Sequence, residues 1–168
     1  MTLGRETVVG VIGAGAMGSG IAQVAATNGH QVVLADADSK ALERAQAGIR
    51  KLLDRDVAKN RLTAPAADEI FGRIRMVAGT DAQPMAGAGL VIEAIVEDLE
   101  VKRRVLAAVA QDAGPDAVIA SNTSSLSVTA IAAAVPGPER VLGIHFFNPA
   151  TLMPLVEVVP GHLTEPGV

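Results

Sequence analysis

The chain has no cysteine, no tryptophan and no tyrosine, and only three phenylalanines. Without cysteine there are no disulfides, no thiolate metal ligands and no cysteine nucleophile. There is also no redox demand, so a reducing cytoplasm is the default compartment. An aromatic share of 2% argues against a nucleic-acid module that reads bases by stacking. A net charge of −4 gives no basic footprint for a phosphate backbone. No apolar stretch approaches the length of a membrane span, and the N-terminus carries no basic, apolar, cleavable leader. At 168 residues the chain is too short for a TIM barrel of the usual size. No internal repeat, low-complexity run or long linker interrupts it.

What is present is aliphatic. Hydrophobic residues make up 49% of the chain and charged residues 19%, enough for a core of Val, Ile, Leu and Ala and too apolar for disorder. Short β-branched runs alternate with longer Ala-rich helical runs, the pattern of βαβ units around a parallel sheet. The first run is Thr7 to Ile12, and a helix follows from Ala16 to Asn28, stopped by Gly29. A second run, Gln31 to Ala35, closes on Asp36. Asp38 and Ser39 then offer caps for a long helix reaching Arg61. Pro65 suits a short helix from Ala66 to Arg73. Further strands are expected at Arg75 to Ala78, Leu90 to Ile95, Val118 to Ala120 and Val141 to Phe146, with an edge strand at Leu155 to Val159. Helices fill Leu99 to Ala113 and Val128 to Val135, and Gly161 to Val168 reads as a polar tail. The expected fold is α/β of the Rossmann type, a doubly wound, mostly parallel sheet with an additional edge strand near the C-terminus.

Gly13-Ala14-Gly15-Ala16-Met17-Gly18 is a G-x-G-x-x-G sequence. By itself the pattern is weak, but here it follows a strand and opens a helix. Gly13 allows a tight turn, Gly15 lets backbone approach a pyrophosphate, and Gly18 lets helix pack on strand. The helix N-terminus then offers free N–H groups to phosphates. No Lys-Ser/Thr follows, which disfavours a nucleoside-triphosphate loop. Asp36, eighteen residues after Gly18, stands where a carboxylate accepts the adenosine ribose hydroxyls and repels a 2′-phosphate, favouring NAD over NADP. Asp36 could also simply cap the next helix.

In an open α/β sheet, ligands bind beyond the carboxyl ends of the strands. There the sequence places Glu93, Glu97 and Lys102, the cluster Ser121-Asn122-Thr123-Ser124-Ser125, His145 with Phe146-Phe147-Asn148-Pro149, and Glu157. Taken singly, each has a structural reading: a core histidine, an outward-facing edge glutamate, a polar helix cap. Together they supply a base for a hydroxyl proton, a carboxylate to orient it and a hydroxyl to hold the same oxygen, as alcohol oxidation by a nicotinamide requires. With no cysteine and three histidines, zinc-assisted oxidation is disfavoured and no metal is expected.

These residues resemble the NAD-binding domain of the L-3-hydroxyacyl-CoA dehydrogenases, including the 3-hydroxybutyryl-CoA dehydrogenases. The matching stretches are Val11 to Ala22, Val91 to Glu97, Ser121 to Ser125, Gly143 to Pro149 and Leu155 to Val158. They stand in family order and spacing across nearly the whole chain. The resemblance implies that His145 is the general base and Glu157 its partner, and that Ser124 contacts the 3-hydroxyl or keto oxygen. Gly13, Gly15, Ala16, Met17, Gly18, Asp36, Glu97, Lys102 and Asn148 would bind NAD. Lys59 would meet the CoA phosphates.

Pro154 replaces a lysine frequent in the family. The resemblance also implies a helical domain beyond residue 160 that closes the substrate cleft and mediates homodimerisation. The chain is too short to hold it, so the expectation is a cofactor domain over 1–160, a tail over 161–168, a native start at Met1 and a truncated end. The partners expected are a 3-hydroxyacyl-CoA or 3-oxoacyl-CoA, with no nucleic acid and no membrane. Two rivals remain open: a solitary NAD-binding module without catalysis, and a 3-hydroxyacid dehydrogenase of the 6-phosphogluconate dehydrogenase type, which relies on a lysine.

Overall fold

A computed structural model describes residues 4–79 and 85–168; Met1 lies outside the described residues. Seven strands form one sheet: β1 (Val9–Ile12), β2 (Val32–Asp36), β3 (Ile74–Ala78), β4 (Leu90–Glu93), β5 (Val118–Ser121), β6 (Val141–Phe146) and β7 (Val156–Pro160). Their spatial order is β3-β2-β1-β4-β5-β6-β7. Neighbouring strands from β3 to β6 pair in parallel, and β7 alone is antiparallel. This is the Rossmann order with an added edge strand, as the alternation of runs predicts.

The helices are α1 (Ala16–Thr27), α2 (Ser39–Ala58), α3 (Ala64–Gly72), α4 (Leu99–Asp112) and α5 (Val128–Ala132). They cover both faces, so β1 and β5 are buried at every position and read as continuous apolar runs rather than alternating ones. The alternation appears instead in which core each residue enters. Val32 and Leu34 pack with Ile21, Leu42, Ile49 and Leu53 from α1 and α2. Val33 and Ala35 pack on the other face, in the cluster that holds Leu106, Val109 and Ile131 from α4 and α5.

Local chemistry starts each helix. Asp38 accepts Lys40 N–H, Thr63 accepts Ala66 N–H, Asp98 accepts Val101 N–H and Ser127 accepts Ala130 N–H. α1 differs: Gly15 caps it and gives no side-chain hydrogen bond. Its first N–H groups are thereby left facing outward, available to an anion.

Several boundaries depart from the sequence reading. The long helix stops at Ala58 rather than Arg61, because Asn60 turns left-handed at φ 55. The fourth strand stops at Glu93 rather than Ile95, because Ile95 N–H is taken by the Glu93 carboxylate at 2.8 Å instead of by a neighbouring strand. The stretch expected as a polar tail folds back onto the sheet. Thr164 donates to Val141 O and accepts Gly161 N–H, Glu165 N–H reaches Glu139 O at 2.8 Å, and Val168 packs on the core. No helix among the described residues is long and apolar enough to cross a membrane.

Candidate active site

Two clefts open at the carboxyl ends of the parallel strands and share Ala94 and Ile95 as a common wall. The larger, of ≈ 810 Å³, runs from Gly13 and Gly15 past Asp36 and Asp38 to Val101, Arg104 and Val105 on α4. The smaller, of ≈ 320 Å³, gathers Met17, Glu97, Lys102, Asn122, Ser124, His145, Phe147 and Asn148. Residues from positions 13 to 148 therefore meet along one edge of the sheet.

The glycines of the first turn have separable tasks. Gly13 adopts φ +101, and a Cβ there would lie 2.6 Å from Ala94 O. A Cβ on Gly18 would lie 1.7 Å from Gly13 O, so no side chain fits between helix and turn. Around Gly15 a Cβ would meet nothing within 4 Å. Its conformation is ordinary extended backbone. Neither packing nor backbone strain thus requires glycine at position 15, and the open space lies on the larger cleft. That is the observation expected if a pyrophosphate passes there.

Asp36 ends β2 and holds the turn as well as facing the cleft. One of its carboxylate oxygens accepts Ala14 N–H at 2.6 Å and the other accepts Asp38 N–H at 2.8 Å. The alternative of a simple cap for the next helix goes to Asp38 instead. A carboxylate oxygen with one donor retains a free lone pair, so these bonds are compatible with accepting ribose hydroxyls.

The smaller cleft is built on a buried ionic network. Glu93 and Lys102 are fully buried. Lys102 Nζ lies 2.6 Å from Glu93 Oε1 and 3.1 Å from Glu97 Oε2. Ser121 Oγ donates to Glu93 Oε2 at 2.7 Å. Glu97 in turn accepts the Thr123 hydroxyl, Ser124 N–H and the Ser125 hydroxyl. Burial pulls the Glu97 pKa upward, but the hydrogen bonds from Thr123, Lys102 and Ser124 and the lysine's charge outweigh it and hold the group below its usual range. The loop that carries Ser124 is thus tied from both sides, while the exposed Ser124 Oγ makes no hydrogen bond among the described residues.

His145 and Glu157 stand directly opposite each other in the antiparallel β6–β7 ladder. His145 Nδ1 lies 2.8 Å from Glu157 Oε2. A carboxylate can only accept, so Nδ1 carries the proton and Nε2 is left as the basic nitrogen. Phe147 packs its ring 4.7 Å from the imidazole. Asn122 Oδ1 accepts Phe146 N–H at 2.8 Å and pins the end of β6 to the end of β5.

A family model described as the NAD-binding domain of 3-hydroxyacyl-CoA dehydrogenase matches residues 8–168. The chain belongs to that family. The 3-hydroxyadipyl-CoA dehydrogenase of Escherichia coli K12 is 50% identical over 164 residues, 98% of this chain and 34% of the relative. A 3-hydroxybutyryl-CoA dehydrogenase of Bradyrhizobium diazoefficiens is 46% identical over 94% of this chain and 53% of its own length. A crystal structure of 3-hydroxybutyryl-CoA dehydrogenase from E. coli K12 superposes with a TM-score of 0.93 and 48% identity, covering 99% of this chain and 34% of that one. This NAD-binding domain thus spans between a third and about half of the length of these relatives.

Most residues singled out in the sequence meet at the two clefts. Gly13, Gly15 and Asp36 line the larger; Met17, Glu97, Lys102, Ser124, His145 and Asn148 line the smaller. Gly18 lies beneath the turn, and Ala16 is exposed at the first position of α1. Lys59 is different: it caps the far end of α2, exposed, and lines neither cleft. The sequence reading did not find Glu93 as the hub of the network, nor Thr123 and Asn122 as the ties of the loop. One signal was available for Glu93. An acid closing a fully buried parallel strand needs a cation beside it, and Lys102 is the lysine that follows.

Proposed function

We propose that this domain binds NAD across the carboxyl edge of the sheet and carries the acid–base pair of an L-3-hydroxyacyl-CoA dehydrogenase. The reaction is the reversible oxidation of an L-3-hydroxyacyl-CoA to a 3-oxoacyl-CoA. The residues fit the cofactor: the open face of Gly15 and the uncapped start of α1 receive the pyrophosphate, and Asp36 takes the adenosine ribose. Gly13, Ala16, Met17 and Gly18 complete the turn and its helix start. Glu97, Lys102 and Asn148 line the nicotinamide end. NAD supplies the hydride acceptor.

The chain's own residues handle the proton. Ser124 Oγ holds the 3-oxygen by a hydrogen bond, and His145 Nε2 removes the hydroxyl proton. Glu157, bonded to Nδ1 at 2.8 Å, fixes the ring and stabilises the imidazolium that forms. In reduction the same imidazolium returns the proton to the keto oxygen. Lys59 reaches toward the CoA phosphates from the end of α2. The 2.8 Å His145–Glu157 contact across adjacent strands carries this reading. It also weighs against a lysine-based mechanism, because Lys102 lies between two carboxylates.

The same reading places the enzyme in the cytoplasm, in acyl-CoA metabolism such as fatty-acid β-oxidation. It takes residues 1–160 as the cofactor domain, with a helical domain following it that closes the cleft and forms a homodimer. The test is NADH oxidation with acetoacetyl-CoA, by this chain and by the longest polypeptide its gene encodes. Turnover in either, lost by about a thousandfold in His145→Gln, is the expected result. No turnover in both, or a fully active His145→Gln, overturns the proposal.

A further inference from the structure

The network under the smaller cleft is not electrically balanced. Glu93 accepts only from donors, namely Lys102 Nζ, Ile95 N–H and Ser121 Oγ, as an ionised carboxylate does. Glu97 is likewise bonded only to donors. One lysine ammonium, enclosed by the two, cannot neutralise both. Lys102 is also the only permanent cation among the described residues lining this cleft. The remaining ionisable lining group is His145, whose partner Glu157 lies on the edge strand and, unlike Glu97, does not line the cleft. The surplus negative charge therefore belongs to the Glu93–Lys102–Glu97 cluster, and Glu97 carries it at the cleft wall.

The two redox forms of a nicotinamide differ by one charge in the ring: the oxidised ring is cationic and the reduced ring is neutral. A fixed negative charge at the wall attracts the first and is indifferent to the second. Burial of Glu93 and Lys102 keeps solvent from relaxing the charge away, and the bonds to Thr123, Ser124 and Ser125 keep Glu97 from swinging out. We propose that the Glu93–Lys102–Glu97 cluster sets the domain's preference between oxidised and reduced cofactor by placing one uncompensated negative charge beside the nicotinamide end. The assignment rests on the placement of that end in the smaller cleft, argued above.

The experiment compares NAD+ and NADH binding to the whole chain by titration calorimetry. For NADH the cofactor's own fluorescence is a second readout, undisturbed because the chain has no tryptophan or tyrosine. Glu97→Gln keeps an acceptor for Thr123 and Ser124 but cancels the charge. Its NAD+ dissociation constant should rise at least about fivefold while that for NADH stays within about twofold. Glu97→Asp, which keeps the charge, should retain the wild-type ratio. Glu93→Gln, cancelling the other carboxylate from beneath, should move the ratio the same way as Glu97→Gln. Because the Glu97 side chain is 40% exposed, its substitution leaves the fold intact, checked by thermal melting. Equal weakening of both forms in Glu97→Gln overturns the proposal and leaves the cluster a positioning device. Failure of the wild-type chain to bind either form removes the NAD reading itself, a separate result.

Discussion

The Glu157 carboxylate meets His145 Nδ1 at 2.8 Å because the β6–β7 register sets the two residues opposite each other. The pair is thus set by the backbone pairing of β6 with the edge strand β7 and needs no loop to close. Side chains directly opposite each other in an antiparallel ladder are close neighbours and interact. Glu157→Gln should keep the strand pairing but weaken the hold on the imidazolium. In the acetoacetyl-CoA assay kcat should fall about a hundredfold with the KM for NADH little changed. Wild-type kcat in that variant would show that His145 acts without its partner.

How much of this arrangement the sequence announced depends on distance along the chain. The G-x-G-x-x-G turn, Asp36 at a strand end and the seven apolar runs are local signals, and each lies where expected. The pairing of His145 with Glu157 needed the family resemblance, because a separation of twelve positions along the chain hides which strands become neighbours. The buried network was legible only in part: an acid closing β4 signals the need for a cation such as Lys102, but Ser121 joins them from a third element. The end of β4 was misplaced because the Glu93 side chain, rather than the ladder, takes Ile95 N–H, and the end of α2 because Asn60 turns left-handed. The stretch 161–168 looked like a tail because Gly161, Thr164 and Gly167 read as loop chemistry. Its docking comes from Thr164 and Val168, which composition does not distinguish.

Arg140 is a second buried group that the sequence left unmarked. It is 8% exposed and makes no ion pair among the described residues. Its guanidinium donates instead to Ala110 O and Gly114 O at 2.6 Å and to Ala117 O at 2.9 Å, closing the C-terminal end of α4. Arg140→Met should leave those carbonyls unsatisfied and cost about 3 kcal/mol in urea unfolding. A loss under about 0.5 kcal/mol would mean that water replaces the guanidinium at no cost.

Glu97 should make stability depend on acid. Its folded pKa lies below the usual value of 4.5, so its contribution is complete above that value and is lost as pH falls through the folded pKa. Glu97→Gln should therefore melt lower than wild type at pH 7, and the gap should close as the solution is acidified below about pH 4.5. A gap that stays constant to pH 2 would show that the deficit comes from lost packing rather than lost charge.

Asp36 both faces the larger cleft and holds the turn through Ala14 N–H at 2.6 Å. Asp36→Ser keeps a short acceptor but drops the charge. NADH affinity should fall about tenfold, and discrimination against NADPH should shrink because the repulsion of a 2′-phosphate is gone. Unchanged discrimination would place selectivity elsewhere in the cleft.

The most direct test of the account is NADH titration of the chain and of two glycine variants. At Gly15 an added Cβ meets nothing within 4 Å of protein, whereas at Gly18 it strikes Gly13 O at 1.7 Å. Gly15→Ala should melt within a few degrees of wild type and lose NADH binding by at least about tenfold, because only the pyrophosphate needs that space. Gly18→Ala should lose the fold itself. Wild-type NADH affinity in a folded Gly15→Ala chain would contradict the placement of the cofactor, and with it the roles given to both clefts.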